Sequence, residues 1–111
     1  MTRYLISFPG DAMAHIPDEE GPSVARAAHA VIREAQDAGV FVFTGGLDEE
    51  TDPVLVAGDG MTAAGSYPLG GMTIIDVPSR EAALEWAAKI ATACRCPQDV
   101  SAFGADPAVG N

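Results

Sequence analysis

Two histidines are the side chains of this chain best suited to proton transfer, because the unperturbed pKa of histidine lies near neutrality. His29 falls within a helical pattern, and His15 lies in the loop sequence MAHIP. Beside a carboxylate, a histidine can act as a general acid or base. The apolar stripe of the helix runs through Val24 and Val31, and at about 100° per residue His29 lies on the opposite side. His29 is therefore either a catalytic base or a solvated histidine without a catalytic role.

Carboxylates and thiols are the next groups that can do chemistry. LDEETD, residues 47–52, holds four carboxylates but lacks the ligand spacing and turn glycine of an EF-hand, so we interpret it as a solvated acidic loop. Cys94 and Cys96 are too close for a relaxed disulfide and two ligands short of a structural zinc site. The sequence thus predicts free thiols, no metal site and no cofactor.

The segment AAGSYPLGGMTIIDV, residues 63–77, is rich in glycine and proline. Its glycines lead into a strand, whereas a phosphate-binding loop opens into a helix, and it lacks the G-x-S-x-G pattern of a nucleophile elbow. Two interpretations stay open: a plain bend before a strand, or a loop that lines a ligand site. In either, we expect Gly65 to adopt a positive φ and Tyr67 to offer a hydroxyl.

Composition and charge limit the classes of function. The 111 residues fit one globular domain, and a net charge of −10 at pH 7 repels nucleic acid and anionic membranes. No apolar run is long enough for a membrane span, and the first residues do not have the pattern of a secretory signal. We therefore expect a cytoplasmic protein that binds neither nucleic acid nor membrane.

The elements that must position these groups follow from periodicity and from turn residues. Strands are predicted at residues 3–8, 40–45, 53–58, 61–65, 71–77 and within 98–104, and helices at 23–38 and 80–94. Ser23 and Ser79 are the expected N-caps, Gly39 is expected to close the first helix, and Asp59-Gly60 is expected to form a hairpin turn. Residues 1–104 then form one domain, and residues 105–111 a flexible tail.

This order predicts an α+β fold, a ferredoxin-like sandwich of the βαββαβ type with an extra hairpin. Helices would cover one face of the sheet and leave the other open. Because such apolar strands must bury their second face, we expect a homodimer.

Three segments give the chain a family resemblance. YLISFPGD, AQDAGVFVFTGGL and LGGMTIIDVPSREAALEWAAKI together resemble the YCII-related proteins, most closely their DGPF-type branch. The resemblance covers roughly residues 3–92, and residues 69–90 are its most specific part. It implies a dimeric α/β barrel type of assembly with a cleft at the sheet and dimer interface.

The resemblance also implies functional residues. An acid–base pair of His29 and Asp11 is implied, although alignment back from Gly39 places the family's histidine on Ala28. The family's Asp-Gly-Pro-Phe corresponds to residues 64–67, where the glycine is kept as Gly65, Ser66 and Tyr67 follow, and alanine replaces the acid. The implied ligand-binding residues are Phe8, Gly65, Ser66, Tyr67 and Met72.

Three functions remain as hypotheses. The first is a YCII-related dimer that binds an unidentified small molecule, with possible acid–base chemistry of a lyase or hydrolase type. The second is a non-catalytic dimeric regulatory or scaffold module, which the alanine at position 64 favours. The third is a cofactor-independent oxygenase-like protein of the dimeric α+β barrel group, which has fold analogy alone behind it.

Overall fold

The computed structural model describes residues 1–65 and 69–111 of the chain. The regular elements in chain order are β1 (Thr2–Pro9), α1 (Gly21–Asp37), β2 (Phe41–Gly46), β3 (Val54–Val56), β4 (Thr62–Ala64), β5 (Leu69–Val77), α2 (Arg80–Cys94) and β6 (Asp99–Ala102). Short 3-10 turns precede α1 at Asp18–Glu20 and follow β6 at Pro107–Val109.

Four strands form the main sheet in the order β2-β5-β1-β6, and every neighbouring pair is antiparallel. Tyr4, in the middle of β1, pairs with Ile75 on one side and with Ala102 on the other. With two helices, this arrangement confirms the predicted α+β class and is compatible with a ferredoxin-like sandwich. The extra hairpin is also confirmed, as β3 and β4 form a separate two-stranded sheet.

Residue chemistry explains where the helices begin and end. The Ser79 hydroxyl accepts a hydrogen bond from the Ala82 amide at 3.2 Å, which confirms the predicted N-cap of α2. Gly39, with φ of +74°, ends α1 as expected. The Ser23 cap is wrong: α1 begins at Gly21, because Pro22 fits the first helical turn and needs no amide partner.

The core lies between the two helices and one face of the sheet. Along β1 and β5 alternate side chains point into it, and Ile6, Ile75 and Val77 are fully buried. Small residues of α2, such as Ala83 and Ala87, let the helix approach these aliphatic side chains closely. The opposite face, which carries Leu5, Phe43, Met72 and Ile74, is called the open face below.

The segment after β6 makes its own local contacts. Asp106 and Asn111 exchange two backbone hydrogen bonds, at 2.9 and 3.0 Å, and the Asp106 side chain accepts from the Ala108 amide. The Arg3 guanidinium reaches the Asn111 side chain at 3.4 Å. The flexibility predicted for residues 105–111 stays a prediction.

Candidate functional site

A cleft of about 930 Å³ lies where β1 ends, where the chain leaves β2 and where it enters β5. Its lining combines apolar and acidic residues: Pro9, Gly10, Asp11, Leu47, Asp48, Glu49, Thr51, Asp52, Pro53, Leu69 and Gly70. We call it the Asp11 cleft. Its size falls within the range of about 300 to 1,000 Å³ that is common for small-molecule sites.

Backbone hydrogen bonds fix two sides of the Asp11 cleft. The Ala12 amide donates to the Pro9 carbonyl at 3.1 Å, which turns the chain at the end of β1 and places Asp11 at the rim. The Leu47 amide donates to the Gly70 carbonyl at 2.9 Å and continues the pairing of β2 with β5. Register irregularities between Phe8 and Pro9 bend β1 at this point. The cleft is therefore attached to the sheet on two sides.

Glycines allow the backbone to approach closely around the cleft. The Phe8 ring occupies the space where a Cβ of Gly70 would lie, with a ring carbon 2.6 Å from that position. At Gly65, a Cβ would lie 2.8 Å from the backbone of Pro53, and the Gly65 amide donates to the Pro53 carbonyl at 2.9 Å. The expected positive φ of Gly65 is wrong, because close contact with Pro53 is what excludes a side chain there.

The acidic loop supplies the negative rim of the cleft. The Glu50 amide donates to Asp48 at 3.0 Å and the Thr51 hydroxyl donates at 2.8 Å. These two hydrogen bonds hold the pKa of the Asp48 carboxyl below its usual value, so it stays ionised at neutral pH. No lysine or arginine lines the described part of the cleft, so its potential is negative.

The structure separates the two residues predicted to act as acid and base. Asp11 lies at the cleft and is exposed, whereas His29 is exposed on α1 and does not line the cleft. Ala28, the alternative position for the histidine, packs against the core. Neither position thus supplies a histidine to the described lining of the cleft beside Asp11.

The predicted ligand-binding residues are distributed over several surfaces. Phe8 packs against the core and against Gly70, so it supports the cleft wall from behind. Met72 pairs with Ser7 on the open face, on the side of the sheet opposite to Phe8. Ser66 and Tyr67 lie outside the described residues.

Sequence reasoning missed most of the cleft lining. Leu47 and Leu69 are 49 % and 39 % exposed and supply apolar surface beside the carboxylates. The signal was present: one Gly-Gly pair, at 45–46, ends β2, and the other, at 70–71, follows the first residue of β5. Pairing of those strands brings the two leucines to the same edge. We instead interpreted residues 47–52 only as a solvated loop.

The thiols are not reactive groups in this fold. Cys94 and Cys96 are unbridged, as predicted. Both are also buried, and burial raises the pKa of each thiol. They are thus protonated and shielded at neutral pH. Among residues 1–65 and 69–111, no group of three metal-ligating side chains could hold a metal ion.

No protein-family model matches the chain, and no curated protein matches its sequence. Within the described ranges, neither helix has the length and apolar character needed to cross a membrane. Fold and site together define a small α+β protein with one helix-covered sheet face, one open face and an acidic cleft at the sheet edge.

Proposed function

We propose that the chain is a YCII-related, dimeric, cytoplasmic protein that binds a small molecule in the Asp11 cleft. The observation that supports this most is the position of the cleft. The acid implied by the family resemblance lies at its rim, and Gly65, the retained glycine of the family motif, packs on Pro53 in its wall. A concave, partly apolar surface with a few polar groups is the usual form of a ligand site.

The lining favours a particular ligand chemistry. Leu47, Leu69 and the two prolines give apolar surface, while the rim carries carboxylates and no described cation. An anionic ligand would meet repulsion from every charge in the lining. The ligand we propose is therefore a small molecule with an apolar body that is uncharged or carries a cationic group.

Acid–base chemistry in the cleft would depend on Asp11. Its carboxylate is exposed to an incoming ligand and can accept a proton from it or hold its cationic group. Of the other three carboxylates in the lining, Asp48 already accepts two hydrogen bonds from its own loop. Asp11 is thus the residue on which a lyase or hydrolase type of reaction would depend.

A non-catalytic dimeric module is the second candidate function. Two observations favour it: alanine occupies position 64 in place of the family's acid, and His29 does not line the cleft. In this case the cleft would bind a ligand or a partner segment without converting it.

Two probes that share an apolar body test the site. We expect 2-phenylethylamine to bind, and phenylacetate not to bind, in isothermal titration at low ionic strength. Asp11→Asn should weaken binding of the amine about fivefold, because a unit charge is removed from near-contact distance in water. Asp18→Asn is the matched control, since Asp18 does not line the cleft, and it should bind as the wild type does.

The same titration also gives the results that would refute the proposed site. If neither probe binds, or if Asp11→Asn binds the amine unchanged, the proposed site is wrong. His29→Ala is informative in addition: normal binding and unchanged turnover of any substrate found would remove His29 from the mechanism and favour a site based on Asp11 alone.

A further inference from the structure

The open face carries, near one end of the sheet, a row of three residues of different chemistry. Arg3 on β1 pairs with Asp76 on β5. The Phe103 amide donates to the Arg3 carbonyl at 2.9 Å, which continues the pairing of β6 with β1. Because directly opposite residues of an antiparallel ladder project from the same face, a cation, an anion and an aromatic ring lie side by side across three strands.

A cavity of about 270 Å³ opens on this row, and we call it the Arg3 pocket. Its other wall is the segment after β6, which includes Ala105 and Asn111. Two backbone hydrogen bonds between Asp106 and Asn111 close this segment into a turn, so the wall has a defined shape. In their described linings, the Arg3 pocket and the Asp11 cleft share no residue. The Arg3 pocket is therefore a separate site, of a size that suits a small ligand.

The charges of Arg3 and Asp76 do not compensate each other. Arg3 donates to the side-chain oxygen of Asn111 at 3.4 Å, and within the described ranges no ion pair joins it to Asp76. Oδ1 of Asp76 is shielded from solvent and has no hydrogen-bond partner among residues 1–65 and 69–111. A carboxylate in this state gains stability from any donor or cation that approaches it. Since Asp76 is partly exposed and lines the Arg3 pocket, a ligand there can supply one.

We propose that the Arg3 pocket binds a free α-amino acid with an apolar side chain. The ligand carboxylate pairs with the Arg3 guanidinium, and the ligand ammonium group pairs with the Asp76 carboxylate. Directly opposite residues have Cβ atoms about 4.5 to 5.5 Å apart, so the ligand must carry its two charges close together. An α-amino acid carries both on one carbon atom. Its side chain then lies against the Phe103 ring, which is 37 % exposed.

The lining selects against ligands with a single charge. Arg3 is the one basic side chain and Asp76 the one acidic side chain of the described lining. A bound anion would leave Asp76 uncompensated, and a bound cation would lie beside the like charge of Arg3. With its oxygen toward Arg3, the Asn111 amide also presents its nitrogen as a donor for the ligand carboxylate. A zwitterion satisfies both charges, and the net charge of −10 does not repel it.

Three probes with a common isobutyl group test the proposal. They are L-leucine, 4-methylpentanoate, which lacks the ammonium group, and 3-methylbutylamine, which lacks the carboxylate. In an NMR titration of the backbone amides, L-leucine should bind with a Kd on the order of 1 mM or below and shift the signals of Arg3, Asp76 and Phe103. Each analogue should bind about fivefold or more weakly than L-leucine, because it lacks one of the two charge contacts.

Two substitutions identify the groups that bind the ligand. Asp76→Asn should abolish the preference for L-leucine over 4-methylpentanoate, and Arg3→Gln the preference over 3-methylbutylamine, because each removes the partner of one ligand charge. Asp99→Asn and Arg80→Gln are the matched controls, since both residues are exposed and neither lines the Arg3 pocket. Both should bind L-leucine as the wild type does. Asp11→Asn should also bind it normally, so failure of this proposal and failure of the Asp11 cleft are distinguishable.

Several results would overturn the proposal. If no signal of the row shifts at about 20 mM L-leucine, the Arg3 pocket does not bind amino acids. Equal binding of the three probes would mean that apolar contact alone holds them. A preference for L-leucine that persists in Asp76→Asn would place the binding elsewhere. A change of oligomeric state in Asp76→Asn, measured by sedimentation velocity, would assign the carboxylate to a contact between copies of the chain. Circular dichroism of each variant confirms that its fold is retained.

Discussion

Substitution of Gly70 by alanine tests the packing that builds the Asp11 cleft. An added Cβ would lie 2.6 and 2.8 Å from two carbons of the Phe8 ring and 2.9 Å from the Pro9 carbonyl oxygen. Gly58 is the matched control, because a Cβ there meets no atom within 4 Å. The φ angle of neither glycine lies in the left-handed region, so the two substitutions differ mainly in available space.

The expected cost follows from these distances. Overpacking by one methyl group costs about 1 to 3 kcal/mol when neighbouring backbone must shift. The lower entropy of the unfolded alanine variant offsets about 0.4 to 1 kcal/mol of this. We expect Gly70→Ala to lower the free energy of unfolding by about 1 to 2 kcal/mol, and Gly58→Ala to leave it unchanged or raise it slightly.

Urea unfolding at one fixed protein concentration measures both values, since association would otherwise change the apparent stability. The same substitution in a Phe8→Ala variant identifies the atoms that clash. If the Phe8 ring causes the clash, Gly70→Ala should lower the free energy of unfolding by at least about 1 kcal/mol less in that variant than in the wild type. Equal costs in both backgrounds would show that the Pro9 carbonyl, not the ring, limits the space. Equal effects of the alanines at 70 and 58 would refute the packing argument altogether.

Two further predictions concern the helices. Ser79→Ala should destabilise the protein by about 1 kcal/mol in the same urea assay, because the Ala82 amide loses its acceptor; no change would mean that water replaces the cap. Burial raises the thiol pKa of Cys94 above the ordinary 9.0, so the folded state binds more protons than the unfolded state at alkaline pH. Stability should therefore fall as the pH rises through 9, with a smaller slope in Cys94→Ala, and Ellman's reagent should label Cys94 and Cys96 quickly only after unfolding.

Local sequence signals predicted the boundaries of helices and turns well where a single capping side chain or a single glycine determines the backbone conformation. α2 begins after Ser79 and ends at Cys94, as its cap and apolar stripe indicated. Gly60 has a positive φ of +87° in the turn between β3 and β4, as its Asp-Gly sequence indicated. At α1, Pro22 and Ser23 are competing start signals, and the sequence alone did not show that the proline would prevail.

The site was predicted less well, because its position depends on contacts between distant segments. Asp11 and Pro53 both line the cleft, and Gly65 packs against Pro53, a contact that local sequence patterns did not indicate. Phe8 and Met72 were assigned to one pocket, yet strand alternation and the register of β1 with β5 direct them to opposite faces. Register is a tertiary property, and a single sequence specifies it only weakly.

The central position of β1 has a consequence for how the chain folds. Tyr4 pairs with Ile75 in one ladder and with Ala102 in the other. Neither ladder can form until its partner strand has been synthesised. During synthesis at about 5 to 20 residues per second, the first strand therefore stays unpaired for several seconds while α1 can already form. Contacts between such distant residues slow folding and expose an apolar strand in the meantime. We expect the nascent chain to be a client of chaperones that bind extended apolar segments, with the sequence YLISF as the segment they hold.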